Sequence, residues 1–236
     1  MQWDGEGLII GVRRHGETSV IAEVMVAGRG RCLGLVRGGR SPKLSATLQP
    51  GNTVQVSWRA RLEEHLGTFQ LELLDGRAAG LISDRLRLYA SQLVCEHLHL
   101  LPERDPHDRL LAMADRIMEW EATPSALGAA VARFELALLE ELGFGLDLTS
   151  CAATGATRDL THVSPKSGRA VSRGAAEPYL ARLLRLPQFL VGNSEPEPSD
   201  VADAFKLTGY FLDAHVWMPR QLDQPAIRDT FVGLVS

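Results

Sequence analysis

Over the first third of the chain, apolar and polar positions alternate; beyond it the period becomes helical. Val20, Ala22, Val24 and Val26 occupy every second position, as do Val54, Val56 and Trp58, and again Phe69, Leu71 and Leu73. Alternate positions of a strand share a face, so each segment predicts a strand with one apolar side. Gly7–Val12 is a short apolar run, and Arg31–Arg37 reads as a further strand after a turn at Gly28-Arg29-Gly30. Five short strands with no strong helix among them predict a small closed or part-closed barrel, most economically a five-stranded OB-fold over residues 1–80.

After Gly80, Leu86, Ala90, Leu93, His97 and Leu100 form one helical stripe. Leu110, Met113, Ile117 and Glu121 begin a second, with Asp105-Pro106 at its entrance. Thr123 before Pro124 is an N-cap signal, and Leu127, Val131, Phe134, Leu138 and Leu142 follow on one face up to Gly143, which suits a helix end. A later helix starts near Ser199 and keeps Val201, Phe205, Thr208, Leu212 and His215 in step. Between these, residues 149–177 are poor in large apolar side chains and rich in Gly, Ser, Thr and Ala, which predicts an irregular insertion. The fold class is therefore α+β: a barrel domain over 1–80 and a helical domain over 81–236 that carries the insertion.

Charge sharpens this division. The whole chain is acidic, with 25 Lys+Arg against 29 Asp+Glu. Yet Val24 to Leu62 contains no Asp or Glu and seven cations: Arg29, Arg31, Arg37, Arg40, Lys43, Arg59 and Arg61. Concentrated cations without interleaved acids are the footprint of a surface that binds a polyanion. The cluster from Arg29 to Lys43 surrounds two glycine turns and Pro42, and reads as a mobile loop able to follow a phosphate backbone without reading bases. A second, weaker basic region runs from Arg158 to Arg185. Arginines on a barrel exterior can also serve solubility alone, so the absence of acids is what favours binding.

Other chemistry is missing. There is no phosphate-binding loop, nucleophile elbow or two-histidine metalloprotease helix, and no catalytic residue is assigned. The acid pairs Glu63-Glu64 and Glu140-Glu141 are sequence neighbours, which point apart and suit a solvated surface. Cys95 and His99 could share a helix face, but two ligands are too few for a structural zinc, and His97 belongs to the core stripe. Cys151 and His162 flank the insertion without the further cysteines a zinc ribbon needs. No metal or cofactor is expected. The three cysteines are scattered, no signal peptide is visible and no apolar run is long enough to span a bilayer, so the expectation is a cytoplasmic protein with no membrane attachment. Phe69 reads as core; Trp58 suits either the core or a stacking platform for unpaired bases.

Several motifs occur together in an order that resembles the RecO family of DNA repair proteins. They are Glu6-Gly7 before a strand, Arg14-His15-Gly16-Glu17-Thr18-Ser19, Leu35-Val36-Arg37-Gly38-Gly39-Arg40-Ser41 and Leu48-Gln49-Pro50-Gly51. In the second half they are Arg133-Phe134-Glu135-Leu136, Leu139-Glu140-Glu141-Leu142-Gly143-Phe144-Gly145 with Leu148, then Cys151 and Ser164-Pro165-Lys166-Ser167-Gly168. The resemblance implies an OB-fold, a helical C-terminal domain and a non-enzymatic recombination mediator. Such a mediator binds single- and double-stranded DNA, anneals complementary strands, and works with RecR to help RecA replace single-strand-binding protein (SSB). It also implies contact with the acidic C-terminal tail of SSB, for which Lys166, Arg169 and Arg173 are the candidates. Many relatives carry four zinc-binding cysteines in the insertion; this chain keeps only Cys151, so a zinc is not carried over. The rival readings are a protein-interaction scaffold whose barrel binds peptides and, more remotely, a metal-dependent hydrolase built on Cys95, His97 and His99.

Overall fold

The protein is described by a computed structural model covering residues 1–62, 64–119, 123–192 and 194–236. It divides into two compact units, 1–120 and 121–236. Glu63 of the first acid pair and Glu121 of the second helical stripe lie outside the described residues.

The first unit is built on five strands: β1 (Gln2–His15), β2 (Ser19–Val26), β3 (Gly30–Val36), β4 (Thr53–Arg59) and β5 (Thr68–Asp75). They close into a barrel in the order β1-β2-β3-β5-β4. β1 is long enough to serve two neighbours, pairing β4 through its first half and β2 through its second, with a register shift between Ile9 and Gly11. The alternating residues face inward as the pattern demands: Val20, Ala22, Val24, Val26, Val54, Val56, Trp58, Phe69 and Leu71 share one core. Leu73 departs from it and is half exposed near the end of β5. Closure is incomplete on one seam, because the parallel pairing of β3 with β5 is confined to Leu35 and Thr68.

Part of the predicted mobile loop is a helix, α1 (Pro42–Thr47). Ser41 caps it by accepting the Leu44 N–H, and Pro42 stands at its start. It buries no residue, so it leaves no apolar period to read. Three more helices complete the unit: α2 (Ala78–Ser83), α3 (Arg85–Leu98) and α4 (Asp108–Met118). Buried Asn52 joins α1 to α2, donating to the Ala46 and Thr47 carbonyls at 3.0 and 3.1 Å and accepting the Ala78 N–H at 2.9 Å.

The loop between α3 and α4 docks on the barrel. The Arg104 N–H donates to the Arg31 carbonyl at 2.8 Å, and Arg31 Nε donates to the Leu101 carbonyl at 2.8 Å. Asp108 accepts the Gly28 N–H at 2.7 Å. The approach requires glycine at position 30, where φ is +72° and a Cβ would fall 1.7 Å from the Asp105 carbonyl oxygen.

The second unit is organised around α5 (Pro124–Glu141). Thr123 caps it by accepting the Ala126 N–H at 3.3 Å, and Gly143 ends it at φ +86°. Next come β6 (Leu160–Val163), β7 (Ala170–Ser172), α6 (Arg173–Ala176), β8 (Leu184–Arg185), α7 (Pro198–Leu212), α8 (Met218–Arg220) and α9 (Ala226–Val235), with a π turn at Asp213–Trp217. The insertion is more regular than its composition suggests: β7, β6 and β8 form a three-stranded sheet. Strands of two to four residues are too short to display an alternation.

α5 is buried on nearly all sides and carries a charge inside, Glu135. Arg228 of α9 meets it through two hydrogen bonds of 2.8 and 2.9 Å, and Thr208 of α7 donates to the same carboxylate. One buried acid thus ties three helices together, with its charge matched by a forked guanidinium.

Candidate nucleic-acid interface

The seven cations of the acid-free stretch have different fates. Arg37, Lys43, Arg59 and Arg61 are exposed and make no side-chain ion pair or hydrogen bond among the described residues. Arg40 is exposed and donates one hydrogen bond to the Glu17 carbonyl, which fastens its loop to the β1–β2 turn. Arg29, at the β2–β3 turn, lies over the Trp3 indole with its guanidinium carbon 4.7 Å from the ring centre. Arg31 is committed internally, ion-paired with Glu23 and bonded to the Leu101 carbonyl, and its side chain is only 17% exposed. It holds the structure together, which a pattern of charges in sequence could not distinguish from a ligand contact.

Register brings Arg59 and Arg37 toward one wall. Arg59 pairs with Thr68, and Thr68 with Leu35, two residues before Arg37. The inward positions of these strands are Trp58, Phe69 and Val36, so Arg59 and Arg37 stand on the outer side. Arg59 and Leu35 are then two strand spacings apart, about 10 Å. That wall also carries exposed Glu72 on β5, so it is basic toward its Arg59 end.

Two further cations extend the surface. Arg13 and Arg14 are exposed at the end of β1; Arg14 pairs with Val20, an inward position, so of the two Arg13 is on the outer side. An acid-free window could not find them, because Glu17 and Glu23 interrupt the sequence between them and the stretch. Arg104 lies on the α3–α4 loop beside β3, and its Nη2 donates to the His65 carbonyl at 2.9 Å. Nothing in the local sequence signals that placement.

Trp58 and Phe69 both belong to the core, 3% and 2% exposed. The Trp58 indole donates to the Leu66 carbonyl at 3.0 Å and stacks on Trp3 at 5.7 Å with 18° between the planes. Cys95, His97 and His99 do not converge. Burial pushes the Cys95 thiol up to about 12, with Glu96 adding to the rise. His97 Nδ1 lies 2.7 Å from the Leu93 carbonyl inside the core, whereas His99 sits between Glu96 and Glu23. Among the described residues no group of three or more His, Cys, Asp or Glu side chains is placed to hold a metal ion.

In the second unit, Lys166, Arg169 and Arg173 are separated rather than gathered. Arg169 pairs with Asp147 at 3.1 Å and Arg173 with Asp159 at 3.1 Å. Lys166 has no side-chain partner among the described residues and lines an open groove with Arg182, Tyr179, Pro165, Val171 and Leu183. Cys151 is buried at the edge of the small sheet, where burial raises the thiol pKa. Hydrogen bonds from the Ser172 hydroxyl and N–H, both 3.3 Å, together with donors at Thr154 and Ala153, outweigh this and bring it down to about 6.

Comparison with known proteins decides the family. A family model described as "Recombination protein O N terminal" matches residues 1–77, and one described as "Recombination protein O C terminal" matches 82–222. The chain belongs to the RecO family. It is 53% identical over 240 residues to the DNA repair protein RecO of Methylobacterium nodulans, covering 99% of this chain and 98% of that one. The proteins of the same name from Brucella abortus and Rhizobium etli are also 53% identical, covering 96% and 91% of their own lengths. Membership in the RecO family gives the chain its role in DNA repair and recombination. Among the described residues no helix is long and apolar enough to cross a membrane.

Proposed function

We propose that this RecO-family chain is a non-enzymatic recombination mediator that binds single- and double-stranded DNA on its barrel and anneals complementary strands. The observation that carries the reading is the set of cations Arg37, Lys43, Arg59 and Arg61, which have no side-chain partner among the described residues, on a barrel whose acid-free stretch has no counterpart elsewhere in an acidic chain. Each phosphate met by such a side chain releases a counterion, so affinity depends on salt and tolerates any sequence. Neutralising two strands on one surface lowers their mutual repulsion, which promotes annealing without nucleotide hydrolysis. RecR is the expected partner in helping RecA load on SSB-coated single strands. The acidic SSB tail is expected to take the second unit's basic segment, with Lys166 as the member lacking a side-chain partner among the described residues and Arg169 and Arg173 available only by releasing their aspartates.

Reversal of Arg37 and Arg40 to Glu tests the barrel assignment. Single-strand affinity should fall on the order of tenfold or more at low salt, and the slope of log affinity against log salt should drop by about 0.7 per lost contact. An unchanged affinity and slope would overturn the assignment and favour a barrel that binds peptides. Annealing of complementary oligonucleotides, bare and SSB-coated, with and without RecR, tests the mediator role.

A further inference from the structure

We infer that the open seam of the barrel holds a receptor for one unpaired nucleobase, in which Trp3 and Arg29 receive the ring and Arg104 and buried Trp58 back them. The inference rests on the DNA-binding reading above but concerns bases rather than phosphates. Four aromatic and cationic groups lie in series. Arg29 covers Trp3 at 4.7 Å, Trp3 stacks on Trp58 at 5.7 Å, and Arg104 stands 5.8 Å from the Trp58 ring. They line a partly open cavity of about 130 Å³ with Cys32 and Leu33. At ~30 Å³ per water, the space equals about four waters, room for one heterocycle and too little for a base pair.

The cavity exists because β3 meets β5 only at Leu35 and Thr68, leaving the Gly30–Gly34 half of β3 without a β5 partner. No carboxylate lines it. Burial raises the Cys32 thiol pKa, with the Arg104, Arg29 and Arg31 charges opposing the rise and Glu103 adding to it, so the floor of the cavity is a neutral thiol. Indole faces and guanidinium planes both stack on exposed bases without choosing among them.

Arg104 is built for this position. It adopts φ +61°, a left-handed conformation that L side chains enter at a cost. Two hydrogen bonds hold it there, its N–H to the Arg31 carbonyl and its Nη2 to the His65 carbonyl, one on each side of the seam. Arg29, at the exposed turn, is the movable member that can lift from Trp3 and close over an incoming ring.

The test compares a single-stranded oligothymidylate with the same strand bearing abasic sites, using the full chain. For the unmodified protein, removing bases should weaken binding on the order of five- to a hundredfold with the salt slope retained. Trp3→Leu keeps apolar packing at that position and should lose the same factor on the base-bearing strand while binding the abasic strand like the parent. Arg29→Met, at an exposed turn, should narrow the same ratio and guards against a folding defect in the first variant. Equal base-bearing to abasic ratios in parent and both variants would overturn the receptor. If the Arg37 and Arg40 reversals still weaken binding in that case, the phosphate surface stands and only the base site falls. If the parent binds neither strand at low salt, the DNA-binding reading falls with it.

Discussion

The barrel and the insertion are both rich in arginine, but they differ in how many of these side chains already face a carboxylate. On the barrel, Arg37, Lys43, Arg59 and Arg61 stand in solvent and make no side-chain ion pair among the described residues. In the second unit Arg169, Arg173 and Arg185 each face an aspartate, at 3.1, 3.1 and 3.5 Å, and Arg228 meets Glu135 in the core. A cation already matched by a carboxylate contributes little to the field outside. An unmatched one attracts any polyanion within a Debye length, about 8 Å at physiological salt. Counting basic residues would rank the two regions as similar; counting their partners separates a binding surface from a scaffold.

The comparison breaks most visibly at Arg228. Arg228→Ala leaves the Glu135 charge buried and should lower unfolding free energy by about 3–5 kcal/mol in urea titration. Replacing both residues with apolar ones of similar volume should restore most of that loss. A single variant as stable as the parent would show that the pair is not structural.

Within the barrel, Arg31 and Arg59 give a sharper contrast. Arg31→Ala removes an ion pair and a carbonyl contact, and should cost on the order of 1–2 kcal/mol while leaving the salt slope of DNA binding unchanged. Arg59→Ala should do the reverse, with stability within about 0.5 kcal/mol of the parent and a slope lower by about 0.7. If both variants behave alike, partner status does not determine role. At Arg169, paired with exposed Asp147, removal of the side chain should leave the unfolding midpoint unchanged in the same titration.

Cys151 adds a pH-dependent test inside the insertion. Its folded pKa, near 6, is below the ordinary value of 9.0. The stabilisation is therefore complete above pH 9 and is lost as pH falls through 6. The difference in melting temperature between the parent and Cys151→Ser should thus widen from pH 6 to pH 9, and a constant difference would mean that the thiol is not ionised there.

The barrel was legible because its strands obey a period of two and its core side chains are large, from Val20 through Phe69. The α5 helix was legible through Thr123, Pro124 and Gly143, which mark both ends by local chemistry. α1 escaped because a surface helix of six residues needs only a serine cap and a proline and buries nothing. The sheet of the insertion escaped because its strands are too short for a pattern. In the candidate interface the acid-free stretch led to exposed cations on the barrel, but charge along a chain does not record which arginine has found a glutamate. Arg31 was included for that reason. Arg104 was missed because a fold, not a motif, carries it to β3.

The strap over that seam also bears on how the protein is made. Arg31 on β3 receives its carbonyl partner from Leu101, 70 residues further along the chain. A ribosome-bound chain that has just completed β5 thus has all five strands but an unfinished barrel, with the β5-facing edge of half of β3 still unpaired. That half finds its cover only when the stretch after α3 is synthesised. Until then the nascent barrel presents an open edge, the kind of surface that pairs with the wrong strand or recruits a chaperone.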